Sequence, residues 1–314
     1  MARSTRTGVA LALLCLFILG AMPVLANARP AGSDGLAFAV WLTFWQLLAS
    51  LPLFLIELKG KRRQRNADDA PRTGMWGAGT IALATGAMFG LSTYMYVIAA
   101  AKARPVSMVI ALQAYPLFAI LWEALFLGRR KSPAELFFTA VMIAALVYLT
   151  TGGTFRIADV SWWSAFALGI PLLWSIAHIL LRQMLVTTPV TPNQITVSRL
   201  IISGATLLLL HLVFGKSGAL VDGFADAAFQ KAAFIMGLAY YLELILWFHA
   251  MRHIDVSVAS SVTVPAPAVT MLIAVTVLGQ AVQGYQIVAM AVIALSMYGL
   301  LLAGKRSTPA AGEN

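Results

Sequence analysis

Residues 96–128 read YVIAAAKARPVSMVIALQAYPLFAILWEALFLG, and residues 247–279 read WFHAMRHIDVSVASSVTVPAPAVTMLIAVTVLG. At an offset of 151 residues the two stretches align without a gap. Tyr96 falls on Trp247, Ala99 on Ala250, Pro116 on Pro267, and Leu127-Gly128 on Leu278-Gly279. Gly153 then falls on Gly304. Apolar helices resemble each other by composition alone, but shared proline and glycine positions mark an internal repeat. Further back, Leu19-Gly20 pairs with Trp174-Ser175 only after a shift of a few residues.

Around this repeat the chain is almost entirely apolar. Sixty per cent of its residues are hydrophobic and 11% are charged, with a mean hydropathy of +0.84. A soluble domain carries about 25% charged residues, so this chain is not built to cover itself with water-facing surface. Apolar spans run over 8–28, 36–57, 75–100, 106–127, 134–152, 161–183, 194–214, 230–251, 256–278 and 284–303. Each approaches the roughly 20 residues that a helix needs to cross about 30 Å of hydrocarbon. Only helices satisfy their own backbone at that length, and strand-like alternation is absent. The fold class expected is an all-α polytopic membrane protein, ten transmembrane helices arranged as two inverted five-helix repeats. The repeats occupy 1–152 and 153–304, with a short tail over 305–314.

The net charge of +10 invites a nucleic-acid reading. Its distribution rejects one, because Lys59, Lys61, Arg62, Arg63 and Arg65, like Arg129, Arg130 and Lys131, sit between apolar spans. With both termini inside, 15 of the 22 Lys and Arg fall on the cytoplasmic side and six outside. That bias follows the positive-inside rule and places the termini in the cytoplasm of a cell inner-membrane protein. One rival concerns the N-terminus. A basic start, an apolar run over Val9–Val24 and Ala26-Asn27-Ala28 also fit a cleavable signal peptide. Cys15 is the only cysteine, so no internal disulfide or thiolate metal site is possible, and it reads as a buried inert thiol. The histidines, His178, His211, His249 and His253, offer no dication site, and no metal or other cofactor is expected.

Five helices per repeat is an odd number, so the second repeat enters the membrane from the opposite side. Inverted repeats are a common plan of secondary transporters, whose site lies near the midplane. Here the sequence resembles the drug/metabolite transporter superfamily, and within it the EamA-type two-repeat transporters. The resemblance is carried by Leu172-Leu173-Trp174, Arg199 and the two repeated stretches quoted above. It implies a ten-helix carrier of small metabolites. The chain departs from the family pattern where Leu19 replaces an expected tryptophan and Gln46 an expected arginine. Arg129 and Gln280 stand where an acid often follows the Leu-Gly pair.

Ionisable groups within spans ask for an explanation, since each costs about 2.5–3.5 kcal/mol on insertion scales. Glu243 lies near the middle of the eighth span, and Tyr240, Glu243 and Trp247 share one helical face. The repeat maps them onto Phe89, Ser92 and Tyr96. Glu243 binds a proton or an amine, or else pairs structurally with Arg199 on the neighbouring span. Arg199 anchors a substrate carboxylate bidentately, or snorkels to the interface. Trp174 and His178, four residues apart, form another candidate face. Gln113 and Tyr115 on the fourth span and Thr263 on the ninth lie beside Pro116, Pro265 and Pro267. There a lost backbone donor permits a kink that lines a cavity. Glu123 pairs locally with Arg129 or Arg130.

These features point to a secondary active transporter working by alternating access: a proton-coupled exporter of a small metabolite such as an amino acid or an amphipathic amine. Its partners are that small molecule, protons and the lipid bilayer, with the chain a monomer or homodimer. No Gly-x-x-x-x-Gly-Lys-Ser/Thr sequence is present. A membrane-embedded enzyme is the alternative, yet no nucleophile–base pair or catalytic residue stands out. A non-transporting membrane helper is another.

Overall fold

The computed structural model describes residues 2–64, 75–115, 117–118, 121–122, 132–187, 190–250, 253 and 262–306. These are helical throughout, with no strand among them. In chain order the helices are α1 (Ala2–Asn27), α2 (Gly35–Gln64), α3 (Met75–Lys102), α4 (Pro105–Leu112), α5 (Pro133–Thr150) and α6 (Trp162–Ala167). They continue with α7 (Gly169–Thr187), α8 (Pro192–Phe214), α9 (Ala219–Ala225), α10 (Ala227–Ala250), α11 (Ala266–Leu278) and α12 (Gly284–Arg306). Seven segments among the described residues are long and apolar enough to cross a membrane, and two shorter apolar stretches end the chain. The remaining expected span, the fourth, begins as α4, and much of it lies outside the described residues. Two short elements were not expected from sequence, a 3-10 turn over Ile157–Asp159 and α9.

Local chemistry explains where helices start and stop. At the head of α5, Ser132 accepts from the Glu135 amide while Glu135 accepts from the Ser132 amide, a capping box with Pro133 at the first position. Thr191 and Gln194 repeat the device at α8, with Pro192 behind the cap. The Leu278-Gly279 pair ends α11, where Gly279 adopts φ +59°, a left-handed conformation that favours glycine.

Two helix interruptions fall beside prolines of the repeated stretches. The fourth span leaves its helix in a turn at Gln113-Ala114, just before Pro116. The ninth span is helical at 262–263, turns at Val264-Pro265, and resumes as α11. Residues 113–114 and 264–265 stand at the same offset of 151 that relates the two sequence stretches.

The chain divides into two compact units, each drawing on both halves of the sequence. The first comprises Met1–Val24, Ala99–Ser175 and Glu243–Asn314. In it α12 packs along α5 and α11 against α4. Gly20 of α1 lies so close to α11 that an added Cβ would sit 2.6 Å from Val269 Cβ. Thr270 fixes that crossing by donating to the Gly20 carbonyl at 2.6 Å. Gln286 of α12 donates to Ser107 of α4 at 2.8 Å, a buried bond between helices.

The second unit comprises Leu25–Ile98 and Ile176–Leu242, built on the packing of α2 along α8. Ser203 of α8 donates to the Gly86 carbonyl of α3 at 2.7 Å. Small residues set the crossings, as is usual where lipid removes the hydrophobic drive between helices. At Gly237 of α10 an added Cβ would lie 2.6 Å from the Leu42 carbonyl oxygen and 3.1 Å from the Gln46 nitrogen. Backbone cannot yield as a flexible side chain would. Leucines such as Leu208, Leu209 and Leu212 face outward, as lipid-facing positions require.

Gly237→Ala is therefore expected to destabilise the protein by about 1–3 kcal/mol. Gly79→Ala, where an added Cβ meets nothing within 4 Å, is expected to be neutral or slightly stabilising. Thermal unfolding of both variants in one detergent checks the contrast.

Candidate functional site

In the first unit the site residues gather on α10 and at the two helix breaks. Glu243 is half-buried, and the Cys15 thiol of α1 donates to its Oε1 at 3.4 Å. The same sulfur lies 3.8 Å from the Glu243 carbonyl oxygen. Cys15 is thus buried, as sequence suggested, but it is not a bystander. A partner 228 residues away in sequence cannot be read from helical periodicity. One turn along α10, Trp247 packs against the small core formed by Ala12 and Ala250. Acid and indole therefore both lie against α1.

Gln113 and Tyr115 flank the turn that ends α4, and Thr263 precedes the turn that opens α11. The Gln113 and Ala114 amides close on Ile110 and Ala111, three residues back. The Ala268 amide closes in the same way on the Pro265 carbonyl. Interrupted helices of this kind are suited to lining a polar pathway when they face the protein interior. Trp174 also belongs to this unit, half-buried. Its neighbour Ser175 accepts from the Trp122 indole at 3.1 Å, a pair that sequence did not single out.

In the second unit Arg199, His178, Ser92, Tyr96 and Tyr240 resolve into two aromatic groupings. The Arg199 guanidinium lies 4.0 Å from the centre of the Phe89 ring. Phe89 also meets His178, with ring centres 5.4 Å apart. Phe89 was read from sequence only as the repeat partner of Tyr240, yet it brings a cation and an imidazole together. In the other grouping, the rings of Tyr96 and Tyr240 lie 5.8 Å apart at 56°. Ser92 donates to the Phe89 carbonyl of its own helix at 3.0 Å.

A separate cavity of about 250 Å³ in this unit is lined by Asp34, Lys216, Asp222, Asp226 and Phe229 among others. Two of its carboxylates are committed to helix starts. Asp34 accepts from the Ala37 amide at 2.7 Å, and Asp226 from the amides of Ala228 and Phe229. Nearby, burial pulls the Arg29 guanidinium down from its ordinary value, against the opposing pull of Asp34. This corner is a structural cluster of caps and counter-charges. No group of three or more His, Cys, Asp or Glu that could hold a metal ion occurs among the described residues.

Comparison with known proteins agrees with this architecture. The model of the EamA-like transporter family matches residues 6–151 and 161–302. No curated protein matches the chain. A solved structure described as "Crystal structure of protein" is similar over 96% of this chain and 99% of its own, with a TM-score of 0.62 at 17% identity. Likeness at that identity speaks for the fold alone.

The Arg199–Phe89 contact is open to a double-mutant cycle. Arg199→Met and Phe89→Leu, alone and together, are expected to show a coupling of about 0.5–2 kcal/mol in thermal stability. Additive effects would mean that the ring does not hold the guanidinium.

Proposed function

The chain belongs to the EamA-like transporter family, multi-pass membrane transporters of the drug/metabolite type; from that premise we propose that it is a proton-coupled exporter of a small zwitterionic metabolite, an amino acid in the first instance. The observation that carries this reading is the pair of helix breaks at residues 113–114 and 264–265, in one compact unit and at the repeat offset. Broken helices expose backbone dipoles where hydrocarbon otherwise forbids them, and transporters place cargo at such breaks.

The chemistry of the cargo follows from the few polar groups within the spans. Glu243 receives either a proton or a cargo ammonium group. Exclusive occupancy couples the two flows, since the protein releases one to take the other. Arg199 suits a cargo carboxylate, and its guanidinium lies 4.0 Å from the centre of the Phe89 ring. Tyr96 and Tyr240 offer ring surface to the apolar part of the cargo. An amphipathic amine would have no use for a guanidinium, and Arg199 favours the zwitterion over it. Alternating access exposes these groups to each side in turn. The two repeats, 1–152 and 153–304, supply the opposed gates, with both termini in the cytoplasm of a cell inner-membrane protein.

Purified protein in vesicles holding a pH gradient is expected to drive labelled amino acid against the proton flow. Glu243→Gln is expected to lower gradient-driven flux about tenfold or more. Unchanged flux with unchanged pH dependence in that variant would remove Glu243 from the coupling step.

A further inference from the structure

The two helices at the heart of the second unit carry one polar pattern twice. Thr43, Gln46 and Ser50 of α2 correspond to Thr196, Arg199 and Ser203 of α8, each residue 153 positions from its counterpart. The spacing of three and then four residues puts each triplet on one helical face. All but Arg199 are buried.

The members of the pattern differ in what they bond. Both serines are occupied, Ser50 donating to the Leu47 carbonyl and Ser203 to the Gly86 carbonyl, each at 2.7 Å. Arg199 lies over Phe89. Thr43 Oγ1 and Gln46 Nε2 are buried with no hydrogen-bond partner. A threonine inside a helix ordinarily turns its hydroxyl back on the preceding turn, as Thr85, Thr93 and Thr206 do here. Two unused donors on adjacent turns of one face are costly to bury, and neither contributes to stability as it stands.

The facing helix presents a glycine to them. A Cβ added to Gly204 of α8 would meet only the Thr43 methyl, at 3.8 Å. On its other flank α2 is clamped against Gly237, so it cannot rotate these donors away. Asn193 of α8 donates to Glu57 of α2 at 2.8 Å, while Thr43 faces Gly204. The helices are therefore antiparallel, and Gln46 lies within about one turn of the level of Arg199.

We infer that Thr43 and Gln46 are specificity-determining residues that receive a neutral oxygen, a hydroxyl or an amide carbonyl, of the cargo side chain. Gln46 stands where the pattern's other copy has arginine, so this pole offers donors without charge. This inference rests on the reading of the chain as an exporter of amino acids.

The test uses L-threonine and L-valine, which share a shape and differ by a hydroxyl in place of a methyl. Wild-type protein in vesicles is expected to prefer L-threonine by about tenfold or more in flux at low concentration, because a site built to bond a hydroxyl rejects the analogue that lacks one. Gln46→Met and Thr43→Val are each expected to reduce that ratio several-fold. Their melting temperatures without cargo are expected to equal or exceed that of the wild type, since each removes an unused buried donor. A ratio unchanged in both variants overturns the inference while leaving the exporter reading intact. Lower melting temperatures with an unchanged ratio do the same, assigning the pair to structure. Wild-type protein that moves neither amino acid overturns the amino-acid reading and this inference with it.

Discussion

In hydrocarbon every backbone donor must find its acceptor within the protein, and the rest of this structure depends on that constraint. It forces long helices and makes glycine the residue of choice at crossings such as Gly20–Val269 and Gly237–Leu42. It sends hydroxyls such as those of Thr85, Thr93 and Thr206 back to carbonyls one turn away. Most of all, it limits where a helix can be interrupted. The turns at 113–114 and 264–265 lie in one compact unit, among buried residues such as Leu112, Ala114, Val264 and Ala266. A break facing lipid would leave carbonyls unsatisfied; a break facing the interior can serve cargo.

The same constraint makes the few polar side chains informative, because each must be held by something. Glu243 is met by the Cys15 thiol and Arg199 by the face of Phe89. A thiol and a ring face are soft, polarisable neighbours for a charged group. Gln286 and Ser107 show the opposite design, a buried bond complete in itself that joins α12 to α4. Finished bonds of this kind hold helices together, whereas the Thr43 hydroxyl and the Gln46 amide keep unused donors.

Most of the fold was legible from hydropathy, since runs of twenty apolar residues admit one solution. The helix breaks were legible too, because Pro116, Pro265 and Pro267 announce them and the offset of 151 pairs them. What escaped was contact between distant spans. Nothing in the spacing of Phe89, His178 and Arg199 says that one ring collects the other two, because rotation of each helix about its axis is set by packing. Cys15 looked inert for the same reason. The repeated Thr43-Gln46-Ser50 pattern was in the sequence but stood at an offset of 153, two residues out of register with the proline-bearing stretches, and glutamine in place of arginine disguised it. The turn at Ile157–Asp159 and helix α9 went unread because short amphipathic pieces between spans carry little periodic signal.

The central claim is that water and cargo reach the paired breaks. Hydrogen–deuterium exchange of the intact protein in lipid nanodiscs tests it most directly, at the amides of Gln113, Ala114 and Val264 against those in the middle of α5 and α12. Exchange at both breaks is expected to be far faster than in those helices, with the two breaks responding together. Breaks as strongly protected as the uninterrupted helices would contradict the claim, for they would then be dry joints in a packed bundle.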